Sequence, residues 1–299
     1  MFVKRLGRQL ELLAATFLAA LLLGGCRVAE PPPVRAFSLV IPVYDERGLR
    51  ETVSTLKPHL RPDDRFMIVS GNTSGVFDPA WLDRAAATLR EAYPAAPIYA
   101  ATSGLENVAT AVREAGPVVE AVVYIYEPNF PNQPEFSWEF EATLARFAEA
   151  KAHAEAGGFR AIGKPTGRPL LQENLLSYGW NYGALAERVG ELFVQTQTYC
   201  KESPAAFATA LDTLAAQYGS RAALTPWIPQ ITVDPNAPNG TSLEQATACL
   251  REVRKRDLPG AVLWWSPPFV DRAVAFIAAL NAEAGLQGTR GARAPAPAP

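Results

Sequence analysis

A short apolar run followed by a segment with Leu, Ala and Val at helical spacing recurs eight times along this chain. The strand candidates are "FSLVIPV" from Phe37, "RFMIVSG" from Arg65, "PIYAAT" from Pro97, "AVVYIYE" from Ala121, "FRAIGK" from Phe159, "ELFVQTQT" from Glu191, "ALTPWIPQIT" from Ala223 and "AVLWWS" from Ala261. Each precedes a helix candidate, such as "AWLDRAAATLREAY" from Ala80 or "TSLEQATACLREVRKR" from Thr241, where Thr241 and Glu244 read as a capping box. Eight strand–helix units in about 250 residues predict a single-domain α/β fold, a (β/α)8 TIM barrel. The alternative is an open, doubly wound sheet, but its nucleotide-binding form needs a glycine-rich first turn. Here "VYDERG" holds one glycine. Pro226 and Pro229 fall inside the seventh strand, and a closed barrel has no edge to host them, so a short or bulged strand is expected there.

The ends of the chain differ from this pattern. Lys4, Arg5 and Arg8 precede the apolar "LLAATFLAALLL" and a small-residue site ending in Cys26, the order of an export signal. "LLGGC" resembles the lipobox of bacterial lipoproteins, which implies cleavage before Cys26, acylation of its thiol and a membrane-held protein. By the same resemblance Arg27 favours an outer surface of the bacterial envelope. The expected organisation is a signal peptide over 1–25, a proline-stiffened linker over 26–36, the barrel over 37–284 and a mobile Pro/Ala tail over 285–299. With Cys26 assigned to lipid, Cys200 and Cys249 remain in a compartment where disulfides persist, and the sequence leaves their pairing open.

A formal net charge of −2 gives no basic field for nucleic acid, and "REVRKR" from Arg251 reads as the dipole-offsetting end of a helix. His59 and His153, the two histidines, both fall in predicted helices, which leaves almost no material for a histidine metal site or a Ser-His-Asp triad. No cofactor is expected. "GFRAIGKPT" from Gly158 nearly spells a phosphate loop, but Pro165 replaces its Ser/Thr and "FRAI" reads as strand. "NTS" at Asn72 and "NGT" at Asn239 read as turn and cap residues rather than glycosylation acceptors.

In a barrel of this kind the site lies at the C-terminal ends of the strands. The residues expected there are Tyr44 and Asp45, Ser70 and Asn72, Thr102 and Ser103, Glu127 and Asn129, Lys164, then Gln195, Gln197 and Tyr199, Gln230 and Asp234, and Trp264 with Trp265. Amides, hydroxyls, aromatic faces and few charges suit a sugar, whose hydroxyls need hydrogen bonds and whose ring face needs an aromatic plane. Strand alternation admits one of the two tryptophans, and Trp265, nearer the strand end, is favoured. Gln195, Gln197 and Tyr199, taken as one strand, share a face.

The run "AVVYIYEPN" with Glu127 at its strand end, together with "GAVLWWSP" as the last strand, resembles the glycoside hydrolase barrels. In those, a glutamate ends strand four and a tryptophan of strand eight floors the sugar site. Chitinase-like members carry aspartates where this chain has Glu120, Val123 and Ile125, so substrate-assisted hydrolysis is not implied. The resemblance implies Glu127 as general acid/base acting on a cell-surface or environmental polysaccharide. Hydrolysis normally needs a second carboxylate, roughly 5 Å away for retention or roughly 6.5–9.5 Å for inversion. Only loop residues such as Asp234, Glu173 and Asp45 can supply it, with Asp234 the candidate, since Gln230 and Gln197 stand where other barrels place an acid. The alternatives are a non-catalytic glycan-binding barrel and a Schiff-base lyase at Lys164. Glu127 has two readings: an acid whose pKa burial raises, or one half of an ion pair with Lys164 that depresses it. The expected partners are a carbohydrate and, through lipid on Cys26, a membrane, with the protein a monomer.

Overall fold

The computed structural model describes residues 37–71, 75–128, 130, 133–219 and 226–290. Eight parallel strands close into one barrel in sequence order: β1 Ser38–Val43, β2 Arg65–Val69, β3 Ile98–Ser103, β4 Ala121–Tyr126, β5 Arg160–Pro165, β6 Glu191–Val194, β7 Trp227–Thr232 and β8 Gly260–Trp264. β8 pairs back onto β1 through Ser38↔Gly260 to Val40↔Val262. The helices that matter below are α1 Glu46–Glu51, α2 Pro79–Ala92, α3 Leu105–Glu114, α4 Phe140–Ala156, α5 Glu173–Leu176, α6 Tyr182–Val189, α7 Gln197–Glu202, α8 Pro204–Tyr218, α9 Leu243–Lys255 and α10 Val270–Arg290.

The strands are apolar on both faces because both are covered. Alternate residues, among them Val40, Met67, Tyr99, Val123, Ile125, Ile162, Phe193, Ile228 and Val262, fill the barrel interior. Their neighbours, including Val122, Tyr124 and Leu263, pack outward against the helices. Gly163 faces outward on β5: a Cβ there would lie 2.8 Å from Phe147 Cε1 and 2.7 Å from Leu192 Cδ2, so the missing side chain lets α4 sit close to the sheet. Below the interior layers, Glu191 holds Arg65 at 2.7 Å and Arg160 at 3.6 Å, and these charges lie at the N-terminal ends of their strands. The C-terminal mouth of the barrel is at the other end.

The prolines are accommodated by ladder ends. β7 pairs with β6 only over Trp227 to Pro229 and with β8 only from Gln230 onward, so Pro229 sits where one ladder stops and the next begins. Pro226 precedes the strand, which is not short as expected: Trp227–Thr232 is as long as any strand of the barrel. β6 is shorter than the sequence suggests. It ends at Val194, Gln195 adds one bridge to Thr166, and Gln197 starts α7. The α9 cap is also shifted by one residue: Ser242, not Thr241, accepts from the backbone of Gln245, because its side chain is the one placed ahead of the first turn. Cys200 on α7 and Cys249 on α9 form a disulfide with Cα atoms 6.0 Å apart. Cys26, the expected leader and linker, and the expected tail beyond residue 290 lie outside the described residues.

Candidate functional site at the barrel mouth

Strand parity fixes what reaches the mouth. Ile125 points inward on β4, so Glu127, two residues on, does too. Ile162 does the same for Lys164, Ile228 for Gln230 and Thr232, and Val262 for Trp264. Above them opens a cavity of about 170 Å3 lined by Glu127, Pro128, Phe130, Arg168, Gln197, Thr232, Asn239 and Trp264 among others. Phe130 and Trp264 give it aromatic faces, Pro128, Ala237 and Pro238 add aliphatic surface, and the rest is amide, hydroxyl and charge.

The loop that follows β4 holds Glu127 in place. Gln133, buried beneath it, accepts from the Glu127 N–H at 2.9 Å and donates to the Ile125 carbonyl at 2.7 Å, which satisfies the backbone where the ladder stops. Glu135 accepts from the Tyr124 hydroxyl at 2.9 Å and from the first N–H of α3 at 3.0 Å, and the Ser137 N–H donates to Tyr126 at 2.8 Å. The three-proline loop is thus anchored back onto the strand it leaves.

Burial raises the pKa of Glu127, and Lys164, Arg168 and the facing Thr166 hydroxyl pull it down by less. Burial thus outweighs the pull of Lys164 in the direction of the Glu127 shift, while the attraction between the two groups persists. Burial also lowers Lys164, to about 8, against the opposing pull of Glu127. The Lys164 ammonium lies 6.0 Å from the ring centre of Trp264, which packs 6.1 Å from Tyr44. A pH signature follows. Unfolded Lys164 keeps its proton to about pH 10.5 while the folded residue releases it at about 8, so between these values the unfolded chain binds more protons and stability rises with pH. Tyrosines such as half-buried Tyr44 and buried Tyr218, whose pKa values are raised, oppose this above about pH 10. Glu127 has the opposite sign: its raised pKa gives stability that is full in acid and lost as pH rises through that pKa. Denaturant unfolding should show wild type gaining on the order of 2 kcal/mol relative to Lys164→Met from about pH 8 to pH 10. Parallel profiles in the two proteins would contradict the assignment.

The other expected residues divide. Gln197 lines the cavity and is 2% exposed, and among the described residues its Oε1 has no hydrogen-bond partner. Gln230 is 1% exposed and its Nε2 likewise lacks a partner. Of the two, Gln197 lines the cavity, and its free acceptor suits a ligand hydroxyl, which can donate to it.

Three expectations need correction. Trp265 is not the pocket tryptophan: it is 2% exposed, lies in the outer core, and its indole donates to the Pro42 carbonyl at 3.2 Å across the β8–β1 seam. Tyr199 sits on α7 rather than a strand, and its hydroxyl donates to the carbonyls of Gly167 and Arg168 at 3.0 and 2.8 Å, so it braces the loop after β5 from outside the cavity. Asp234 does not line the cavity, because its Oδ1 accepts from Asn236 N at 2.8 Å and closes a turn. Asp45 caps α1 through Gly48 N, and Glu173 is exposed on α5. Among the described residues, Glu127 is then the carboxylate of this cavity. Asn129 and Asn72 lie outside the described residues.

Sequence reasoning missed Gln133, Arg168 and Asn239. Gln133 and Asn239 stand in loops and Arg168 opens a one-turn 3-10 helix, none of them with a sequence period, and Arg168 had a signal only as a cation four residues beyond a strand-end lysine.

No family model matches the chain, and no curated protein matches its sequence. Solved structures share its fold. A chitinase from Chromobacterium violaceum is 10% identical with a TM-score of 0.53, covering 82% of this chain and 98% of its own. The PgaB (BpsB) glycoside hydrolase domain from Bordetella bronchiseptica is 9% identical with a TM-score of 0.53, covering 81% and 98%. A 2,3-dimethylmalate lyase of the PEP mutase/isocitrate lyase superfamily is 14% identical with a TM-score of 0.51, covering 88% and 86%. The chain is built as glycoside-hydrolase-type barrels are, and as a lyase barrel is.

Proposed function

We propose that this protein is a glycoside-hydrolase-like barrel that holds carbohydrate at its C-terminal mouth. The observation that carries the reading is the pairing of the Trp264 ring with the unpartnered Gln197 acceptor in one cavity. A sugar presents an apolar ring face to the first and a hydroxyl to the second. Neighbouring folds that act on glycans support it by analogy of architecture.

Binding is favoured over hydrolysis because both standard geometries need two carboxylates across the bond. Among the described residues the cavity offers one. Hydrolysis remains a second reading on one observation: burial raises the Glu127 pKa, as a general acid requires. A glycan array probed with the protein tests binding, and incubation of its hits with wild type and Glu127→Gln separates the readings. No hit on the array would end the carbohydrate assignment. Release of product by wild type and none by the variant would make it a hydrolase.

The leader ending in Cys26 supports a second element of the proposal, a lipid anchor in the bacterial envelope. The Cys200–Cys249 disulfide accords with an exported protein. Cys26→Ser should move the protein from the detergent phase to the aqueous phase without changing its circular dichroism, since stable anchoring takes more than one acyl chain and no described helix is long and apolar enough to span a membrane. Unchanged partition would contradict lipidation.

A further inference from the structure

The charged groups clustered at Glu127 do not balance. One acid, Glu127, stands against two cations that act on it, Lys164 and Arg168. Arg168 is the remainder. It lines the cavity, and among the described residues its guanidinium has no hydrogen bond and no carboxylate at ion-pair distance. Its backbone, in contrast, is fixed: the Arg168 carbonyl accepts from the Tyr199 hydroxyl at 2.8 Å, and its N–H points to the Thr166 hydroxyl at 3.4 Å. A held backbone thus presents a planar five-donor fork toward a site whose nearest acid is drawn toward its neutral form by burial.

We propose that the ligand is an acidic glycan, one whose sugar ring carries a carboxylate that pairs with the Arg168 fork while a ring hydroxyl donates to Gln197 Oε1. This rests on the carbohydrate reading above and narrows it to uronic-acid-type sugars. The buried Gln197 acceptor is the independent pointer to a ligand in the same cavity, since it is left unsatisfied among the described residues. An Arg–carboxylate contact made in two parallel hydrogen bonds is strong as well as directional, which would set the orientation of the ring against Trp264.

The test is an array of matched neutral and carboxylated oligosaccharides probed with wild type, Arg168→Gln and Arg168→Lys. Wild type should favour the carboxylated member of a matched pair by about tenfold or more, the range of a charge-assisted hydrogen bond. Arg168→Gln should lose that preference, and Arg168→Lys should keep part of it because it retains charge without the fork. Unchanged melting temperatures would confirm that both variants are folded. Binding of neutral glycans with no preference for the acid would overturn this inference and leave the carbohydrate reading standing. A preference that survives in Arg168→Gln would overturn the assignment of the arginine. Binding of neither class would overturn both readings.

Discussion

Trp265→Ala is expected to cost about 3–5 kcal/mol of stability, the range for truncating a fully packed tryptophan. The side chain is 2% exposed, fills the outer core and donates its indole N–H to Pro42 at 3.2 Å. That bond lies above the point where the β1–β8 ladder ends at Val40↔Val262, so the indole closes a seam that the backbone leaves open. Truncation leaves a cavity and strands the Pro42 carbonyl together. The adjacent Trp264→Ala should cost under about 1 kcal/mol, because its ring faces the mouth rather than the packed layer. Urea unfolding followed by circular dichroism measures both. Equal losses, or a larger one at Trp264, would show that the parity of β8 has been misassigned.

Opening the Cys200–Cys249 bridge is the second large effect. It closes a separation of 49 residues, for which chain entropy predicts about 4 kcal/mol. Both sulfurs are buried, so Cys200→Ala with Cys249→Ala removes the constraint while disturbing little volume. The bridge ties α7 to α9, and α7 begins at Gln197, so the cavity should lose definition along with the fold. The double variant should unfold at a lower urea midpoint, with the wild type in reductant approaching it. A difference under about 1 kcal/mol would mean that the unfolded state is already compact between these positions.

The barrel was legible because each strand is an apolar run bounded by turn residues, and a carboxylate ending such a run, Glu127, stands out by charge alone. The phase of a strand was not legible. In a sheet buried on both faces, Trp264 and Trp265 are equally apolar, and nothing local says that Val262 faces in. Nearness to the strand end is a weaker guide than parity with a neighbour whose side is known only from the closed sheet.

The end of β6 failed for a different reason. "VQTQT" has strand composition, but the Thr196 hydroxyl bonds the Gln230 carbonyl at 3.1 Å and the chain turns there into α7. A contact 34 residues away in sequence overrode the local preference. Arg168 escaped notice because its position depends on a short turn after β5 braced by Tyr199, a tertiary relationship with no sequence period.

The central claim is that the mouth holds a sugar ring against Trp264. Calorimetric titration of wild type and Trp264→Ala with an oligosaccharide selected on the array tests it most directly. The account predicts saturable binding by wild type and roughly tenfold weaker binding by the variant, the value of one aromatic contact with its buried area. Equal affinity in the two proteins, with both folded, would contradict it.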